Sequence, residues 1–499
     1  MPNMDSLPRV ILIVLLAQVA ALAERPNVLF IAVDDLNDWT GFLGGHPQAR
    51  TPHMDRLASR GVNFRNAHTA APGCSPSRNA LLFGIQPFHS GLYPFYDTDK
   101  IDPDILGRYV TLPQLFKESG YRTFASGKIH HGTVWTYQVG GGRREWTEHN
   151  HRKIASLPPL EYETAAGYVL GKSRKMAFCP TSSPLEHHRD YVTAQFGVDV
   201  LGREHETPFF LAVGFHKPHL PFIAPRKFFD MYLSGIEAPP VRADDLADVS
   251  WPARRNVRLK DDLRFRTDGA WEAVRRAYLA SVSWTDWNIG LVLEALESSP
   301  YRDSTIVVLW SDHGYHMGEK RSFRKFSLWE ESTHVPLVIW DACRPVREGR
   351  RSDQAVSLID IYPTLAELAG LEKPAYVDGV SLVPLLEDPT RERVRPAITT
   401  WGRGNYSIRT REWRYITYFD GSEELYRHPA DPQEWENLAG DPAWTEKRKE
   451  LAAWVPEREA PLVTSGKALH SVIDADQPDT SAFREEWRRV AAKIAPPLE

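Results

Sequence analysis

The sequence predicts an α/β protein: a mostly parallel central sheet flanked by helices, followed by a smaller C-terminal α+β subdomain. Three observations predict it. Apolar, β-rich runs alternate with helical patterns through residues 24–390. Four of those runs lead straight into ionisable groups. Over residues 391–499 the texture changes to short strand-like segments joined by tight turns.

The first run, Asn27-Val28-Leu29-Phe30-Ile31-Ala32-Val33, is continuous rather than alternating, as in a central parallel strand covered on both faces. It ends in Asp34-Asp35. A helix follows to Arg60, with Thr51 as N-cap, Pro52 at the first helical position and Gly61 as the C′ residue past its end. Tyr121–Ala125 reads as a second strand ending at Ser126-Gly127-Lys128. Pro208–Phe215 reads as a third ending at His216, and Thr305–Trp310 as a fourth leading to Asp312-His313. Helical patterns cover about 268–298 and 359–369. Residues 132–190 read as long surface loops, rich in Gly, Pro, Arg and aromatics. Beyond 390, Ser407–Arg409, Trp413–Tyr418 and Glu424–Tyr426 read as short strands, with Asp420-Gly421 as a turn and a closing helix near 482–494.

In open α/β sheets ligands bind at the carboxyl ends of the strands. The topology therefore brings Asp34, Asp35, Lys128, His216, Asp312 and His313 to one rim.

Composition bounds the partners. With 499 residues, 42% apolar and 25% charged, the chain is neither a disordered tail nor a small disulfide-stapled module. A net charge of −5 offers no broad basic face, so nucleic acid is not expected as a partner. The three cysteines, Cys74, Cys179 and Cys343, allow at most one intrachain disulfide. Residues 1–23 read as a signal peptide: Arg9, an apolar run from Val10, then Ala21-Leu22-Ala23. The run is too short to span a bilayer. The expectation is a secreted or periplasmic protein, or one of a lysosomal-type lumen in a eukaryote, without stable membrane insertion after cleavage.

The most informative segment is Cys74-Ser75-Pro76-Ser77-Arg78-Asn79-Ala80-Leu81-Leu82-Phe83-Gly84. A thiol at a helix N-terminus beside an arginine is expected to have a lowered pKa; a buried structural cysteine is the alternative. The pattern Cys-x-Pro-Ser-Arg with Leu82-x-Gly84 resembles the signature of type I sulfatases, in which the cysteine is oxidised to formylglycine. Asp34-Asp35, Gly127-Lys128-Ile129-His130-His131-Gly132, Gly214-Phe215-His216-Lys217-Pro218-His219, Ser311-Asp312-His313-Gly314, Lys325 and Thr333-His334-Val335-Pro336 follow that family's order. Glu423-Glu424-Leu425-Tyr426 and Glu436-Asn437-Leu438 resemble its C-terminal subdomain. Phe83 stands where the family usually has Thr. His313 stands where many sulfatases have Asn, which resembles the iduronate-2-sulfatase branch.

The resemblance implies an alkaline-phosphatase-like fold and hydrolysis of carbohydrate sulfate esters, with a 2-O-sulfated uronate of a glycosaminoglycan or algal polysaccharide as one candidate. It implies one divalent cation, Ca²⁺ with Mg²⁺ as the alternative, held by Asp34, Asp35, Asp312, His313 and the matured Cys74. Hard carboxylate oxygens suit such an ion. By the same resemblance Arg78 holds the hydrated aldehyde and the metal-side charge, and Lys128 and Lys325 clamp the sulfate. His131 assists the hydrate, and His216 protonates the leaving oxygen. His130 and His131 are adjacent, and the spacing of three after Lys128 favours His131. The implied partners are a sulfated saccharide and a formylglycine-generating or other sulfatase-maturing enzyme. A phosphomonoesterase or phosphodiesterase of the alkaline-phosphatase-like superfamily, and a glycan-binding relative whose Cys74 stays a thiol, are the alternatives. Trp135, Arg143, Arg144, Trp146 and Arg152 are candidates for stacking on sugar rings and meeting carboxylates. Asn405-Tyr406-Ser407 is a glycosylation sequon.

Overall fold

Asn27–Asp34 (β1) is buried along its whole length, as an unbroken apolar run requires when both faces of a sheet are covered. The computed structural model describes residues 25–93, 107–131, 145–170, 176–344, 349–463, 475 and 481–493. The signal peptide expected at 1–23 lies outside them. β1 lies inside an eight-stranded sheet. The other strands are Val62–Phe64 (β2), Arg122–Gly127 (β3), Glu148–His149 (β4), Phe209–Pro218 (β5), Thr305–Ser311 (β6), Leu337–Asp341 (β7) and Arg350–Ser352 (β8). Their spatial order is β8-β2-β7-β6-β1-β5-β3-β4. β1 pairs in parallel with β5 and β6, and β3 in parallel with β5 and β4, while β7 runs against both β6 and β2.

The helices that matter for the site are Pro52–Arg60 (α1), Cys74–Phe83 (α2), Arg189–Leu201 (α3), Leu259–Thr267 (α4), Trp271–Ser298 (α5), Ile361–Leu368 (α6) and Ser481–Ala491 (α7). Alternate side chains of β1 feed two cores. Leu29, Ile31 and Val33 pack with residues of α1, α3 and α5. Val28, Phe30 and Ala32 pack with Leu81 and Leu82 of α2 and with Ile361, Tyr362 and Leu365 of α6. The C-terminal region forms a four-stranded antiparallel sheet: Ala397–Thr400 (β9), Tyr406–Arg409 (β10), Trp413–Thr417 (β11) and Glu423–Arg427 (β12). β9 was not among the strands expected from the sequence.

Several local expectations change. Gly61 is extended rather than left-handed; a Cβ there would lie 2.5 Å from the Ile339 carbonyl oxygen of β7, so glycine serves close approach between chains. Thr51 holds the N-cap position, its carbonyl accepting from Asp55 N at 2.9 Å, but its side chain makes no capping bond; its hydroxyl donates instead to Asp55 Oδ1 at 2.9 Å. The supposed loop over 132–190 contains the strand Met176–Thr181, paired with Tyr168–Leu170 and Phe222–Pro225. Phe178 stacks there on Phe222 and meets Phe265 edge-on, contacts distant in sequence that no local pattern reveals. Trp146 is buried in the core and offers no face to a sugar ring. Arg152 is exposed; Trp135, Arg143 and Arg144 lie outside the described residues. Asn405 is buried and bridges the Trp401 carbonyl and the Phe419 amide, which hides the sequon. All three cysteines are free thiols.

Candidate active site

Because β1, β3, β5 and β6 run in one direction, their carboxyl ends share an edge of the sheet. Glycines let two of those ends meet: Lys128 N donates to Gly214 O at 2.7 Å, and a Cβ on Gly127 would lie 2.0 Å from that same oxygen.

Successive strand residues face opposite sides of a sheet, so two adjacent aspartates would ordinarily diverge. Asp35 escapes this through a left-handed backbone, φ +62°, a conformation costing a non-glycine residue about 1–3 kcal/mol. It is held by Asp312 Oδ1, which accepts from Asp35 N at 3.1 Å, and by Tyr278, whose hydroxyl donates to Asp35 O at 2.8 Å. Asp34, Asp35, Cys74 and His313 consequently present ligand atoms within 4.8 Å of one another.

Cys74 opens α2, whose residues are all buried. Its Sγ lies 3.0 Å from Lys325 Nζ, 3.3 Å from His313 Nε2 and 3.9 Å from Asp35 Oδ1. The expectation of an acidified thiol fails here. Burial pushes the thiol up, Asp34 adds to the rise, and together they outweigh Lys128 and Lys325. The Arg78 donors are directed away from Cys74. Nε reaches Asp312 Oδ2 at 2.8 Å, Nη1 the carbonyls of Lys128 and Ile129, and Nη2 the Val33 carbonyl. Arg78 thus ties together the ends of β1, β3 and β6.

The donor set suits a divalent cation. Asp34, Asp35 and Asp312 are essentially fully buried, and Asp34 Oδ1 accepts no hydrogen bond. His313 Nδ1 lies 2.9 Å from Gly314 O. It donates there, which leaves the Nε2 lone pair facing Asp35 at 3.3 Å. Asp312 is the exception within the expected ligand set: both its oxygens are engaged, by Arg78 Nε and by the amides of Asp35 and His313.

Two lysines complete the nest. Lys128 Nζ pairs with Asp34 Oδ2, and Lys325 Nζ with Asp35 Oδ1 at 2.5 Å. Burial works against the Asp34 charge, yet Lys128, His219, Arg78 and Lys325 hold its carboxyl well below the usual range. Asp35 and Asp34 likewise hold the Lys325 ammonium well above its usual range against burial.

His216 Nδ1 lies 3.7 Å from Asp34 Oδ2. Its amide and that of Lys217 donate to Asp190 at 2.7 and 2.9 Å, which fixes the end of β5. Burial, with His219 and Lys217 nearby, keeps the His216 imidazole well below its usual pKa. The two neighbouring histidines separate cleanly. His130 is buried and bonded to Glu145 at 3.0 Å, whereas half-buried His131 lines an open cleft with Asp35 and Lys325. His219 was missed as a site residue; its Nε2 lies 3.9 Å from Asp35 Oδ2, and its recurrence three positions after His216 was the available signal. That cleft holds about 940 Å³.

Comparison with known proteins agrees with this geometry. The family profile described as Sulfatase matches residues 26–371, and that of N-sulphoglucosamine sulphohydrolase, C-terminal, matches 318–460. The chain is 36% identical to a sulfatase of Formosa agariphila, over 89% of each chain. It is 31% identical to human iduronate 2-sulfatase, over 85% of this chain and 93% of the relative. A solved structure of a 2-O GAG sulfatase superposes with TM-score 0.62 at 25% identity, covering 86% of this chain and 91% of the other.

Proposed function

We propose that this chain, which belongs to the sulfatase family and is a sulfuric ester hydrolase, is exported and removes sulfate from an acidic carbohydrate, with residue 74 matured to formylglycine. The observation that supports this reading best is the packing of Cys74 Sγ among Lys325, His313 and Asp35 at 3.0–3.9 Å, on the carboxyl edge of the sheet. An unmodified thiol there is protonated and weakly nucleophilic, since burial and Asp34 hold its pKa up. Maturation to an aldehyde would replace that thiol by a group whose hydrate would supply an oxygen nucleophile.

Asp34, Asp35, His313 and the matured residue 74, grouped at the sheet edge, would hold the cation, read as Ca²⁺, and Asp312 would join them through the lone pair of Oδ2 that Arg78 leaves. When bound, the cation supplies Lewis-acid stabilisation of developing negative charge. Lys128 and Lys325 serve as point charges for the sulfate oxygens, released from the carboxylates they pair with here. Arg78, its donors already committed, positions Asp312, Asp34 and the chain at Lys128. His216, whose depressed pKa a bound sulfate anion would raise, gives a proton to the departing sugar oxygen, and His131 takes and returns a proton at the nucleophile. The human relative is an iduronate 2-sulfatase and one superposed structure a 2-O GAG sulfatase; both favour a sulfated uronate here.

The test is release of sulfate against release of phosphate from paired aryl esters, then a desulfation screen over defined sulfated oligosaccharides with the product position assigned. Sulfate release with negligible phosphate release is expected. Preferred phosphate release would replace this reading with phosphoryl transfer.

A further inference from the structure

The cleft that reaches Asp35 and Lys325 is walled elsewhere by Arg255, Arg258 and Arg324, with Phe483 and Trp487 of α7. Helix α7 lies beyond the residues matched by either family profile. It is fixed to the cleft by Trp487 against Trp251 at 5.7 Å, by Arg254 over the Trp487 ring and by a Lys260–Glu486 ion pair. Two of the three arginines have visible partners: Arg324 pairs with Asp261 at 2.9 Å, and Arg255 lies over the Phe483 ring at 5.2 Å. Arg258 differs. Its Nε is buried without an acceptor, and among the described residues no ion pair is formed by its guanidinium. Burial, together with Arg324 and Arg255 close by, disfavours its charge. A partly buried guanidinium left in this state is costly unless an anion arrives to meet it.

We propose that Arg258 is a specificity residue that takes a second acidic substituent of the sulfated sugar, a carboxylate or a further sulfate, while α7 supplies an aromatic wall for the ring. The planar guanidinium fork matches either oxyanion. This rests on the sulfatase reading of the neighbouring nest and adds to it a reason for preferring polyanionic sugars over simple sulfate esters.

The test uses the mature enzyme and its R258Q and R258K variants on matched substrates: a sulfated uronate disaccharide against its methyl ester, and a disulfated against a monosulfated sugar. The wild type is expected to favour one acidic member by about tenfold or more in kcat/KM, the scale of one charged hydrogen bond. R258Q collapses that ratio towards one, mainly through KM, and R258K retains part of it. Because the readout is a ratio within each variant, partial misfolding does not imitate it. Collapse in the carboxylate pair identifies a uronate, and collapse in the sulfate pair a second sulfate. An unchanged ratio in R258Q, or a wild type that ignores the second charge, overturns the inference while sulfate release leaves the sulfatase reading standing. Failure to release sulfate from any substrate, an aryl sulfate included, overturns both.

Discussion

Arg78 Nε donates to Asp312 Oδ2 at 2.8 Å across 234 positions of chain, with both side chains wholly buried. The pair carries the geometry of the site, since the same guanidinium reaches the ends of β1 and β3 and the same carboxylate holds the amide of Asp35. Lysine cannot reproduce this fork of donors. Arg78→Lys is expected to lower stability by about 3–5 kcal/mol, the cost of breaking a buried ion pair, and to abolish turnover. Urea unfolding reads the first and sulfate release the second; a loss below 1 kcal/mol would show that the pair does not organise the rim.

His216→Ala separates substrates by their leaving groups. Alkyl sulfates, whose alkoxide needs a proton, should lose about 10²–10⁴-fold in kcat, whereas activated aryl sulfates should lose far less. Equal losses on both would remove His216 from proton donation and leave it a packing residue beside Asp34.

Chelation should remove activity and lower the melting temperature together, because three buried carboxylates would lose their shared counter-ion. An ion present at about 100 times its Kd adds about 2.7 kcal/mol to the folded state. Ca²⁺ is expected to restore both quantities on re-addition. Full activity after exhaustive chelation would contradict the assignment of the Asp34–Asp35 nest.

Glu424 gives a pH test remote from the chemistry. It accepts from Trp329 Nε1 at 2.8 Å and Tyr426 Oη at 2.9 Å while fully buried, and burial raises its pKa to about 7. A folded pKa above the unfolded one contributes stability that is complete below pH 4.5 and lost as pH rises through 7. Glu424→Gln does not titrate, so the wild type's advantage in melting temperature should shrink between pH 5 and pH 8. A constant gap would show that the carboxyl is already ionised at pH 5.

The rim was legible because β1, β5 and β6 are apolar runs ending in charge, and parallel pairing then brings those ends, and that of the more polar β3, together. What local pattern could not carry was orientation. His131 rather than His130 faces the cleft because Glu145 captures His130, an acceptor 15 positions away. The sign of the Cys74 shift depended on burial and on Asp34 beside the thiol, neither of which the motif states. Nor did the periodicity of α7 reveal that it returns from the chain's end to wall the cleft.

The most direct test is mass spectrometry of the tryptic peptide containing residue 74, taken from a preparation that releases sulfate. An aldehyde at that position, lost together with turnover in Cys74→Ala, is the expected result. An intact thiol in a fully active preparation would contradict the account.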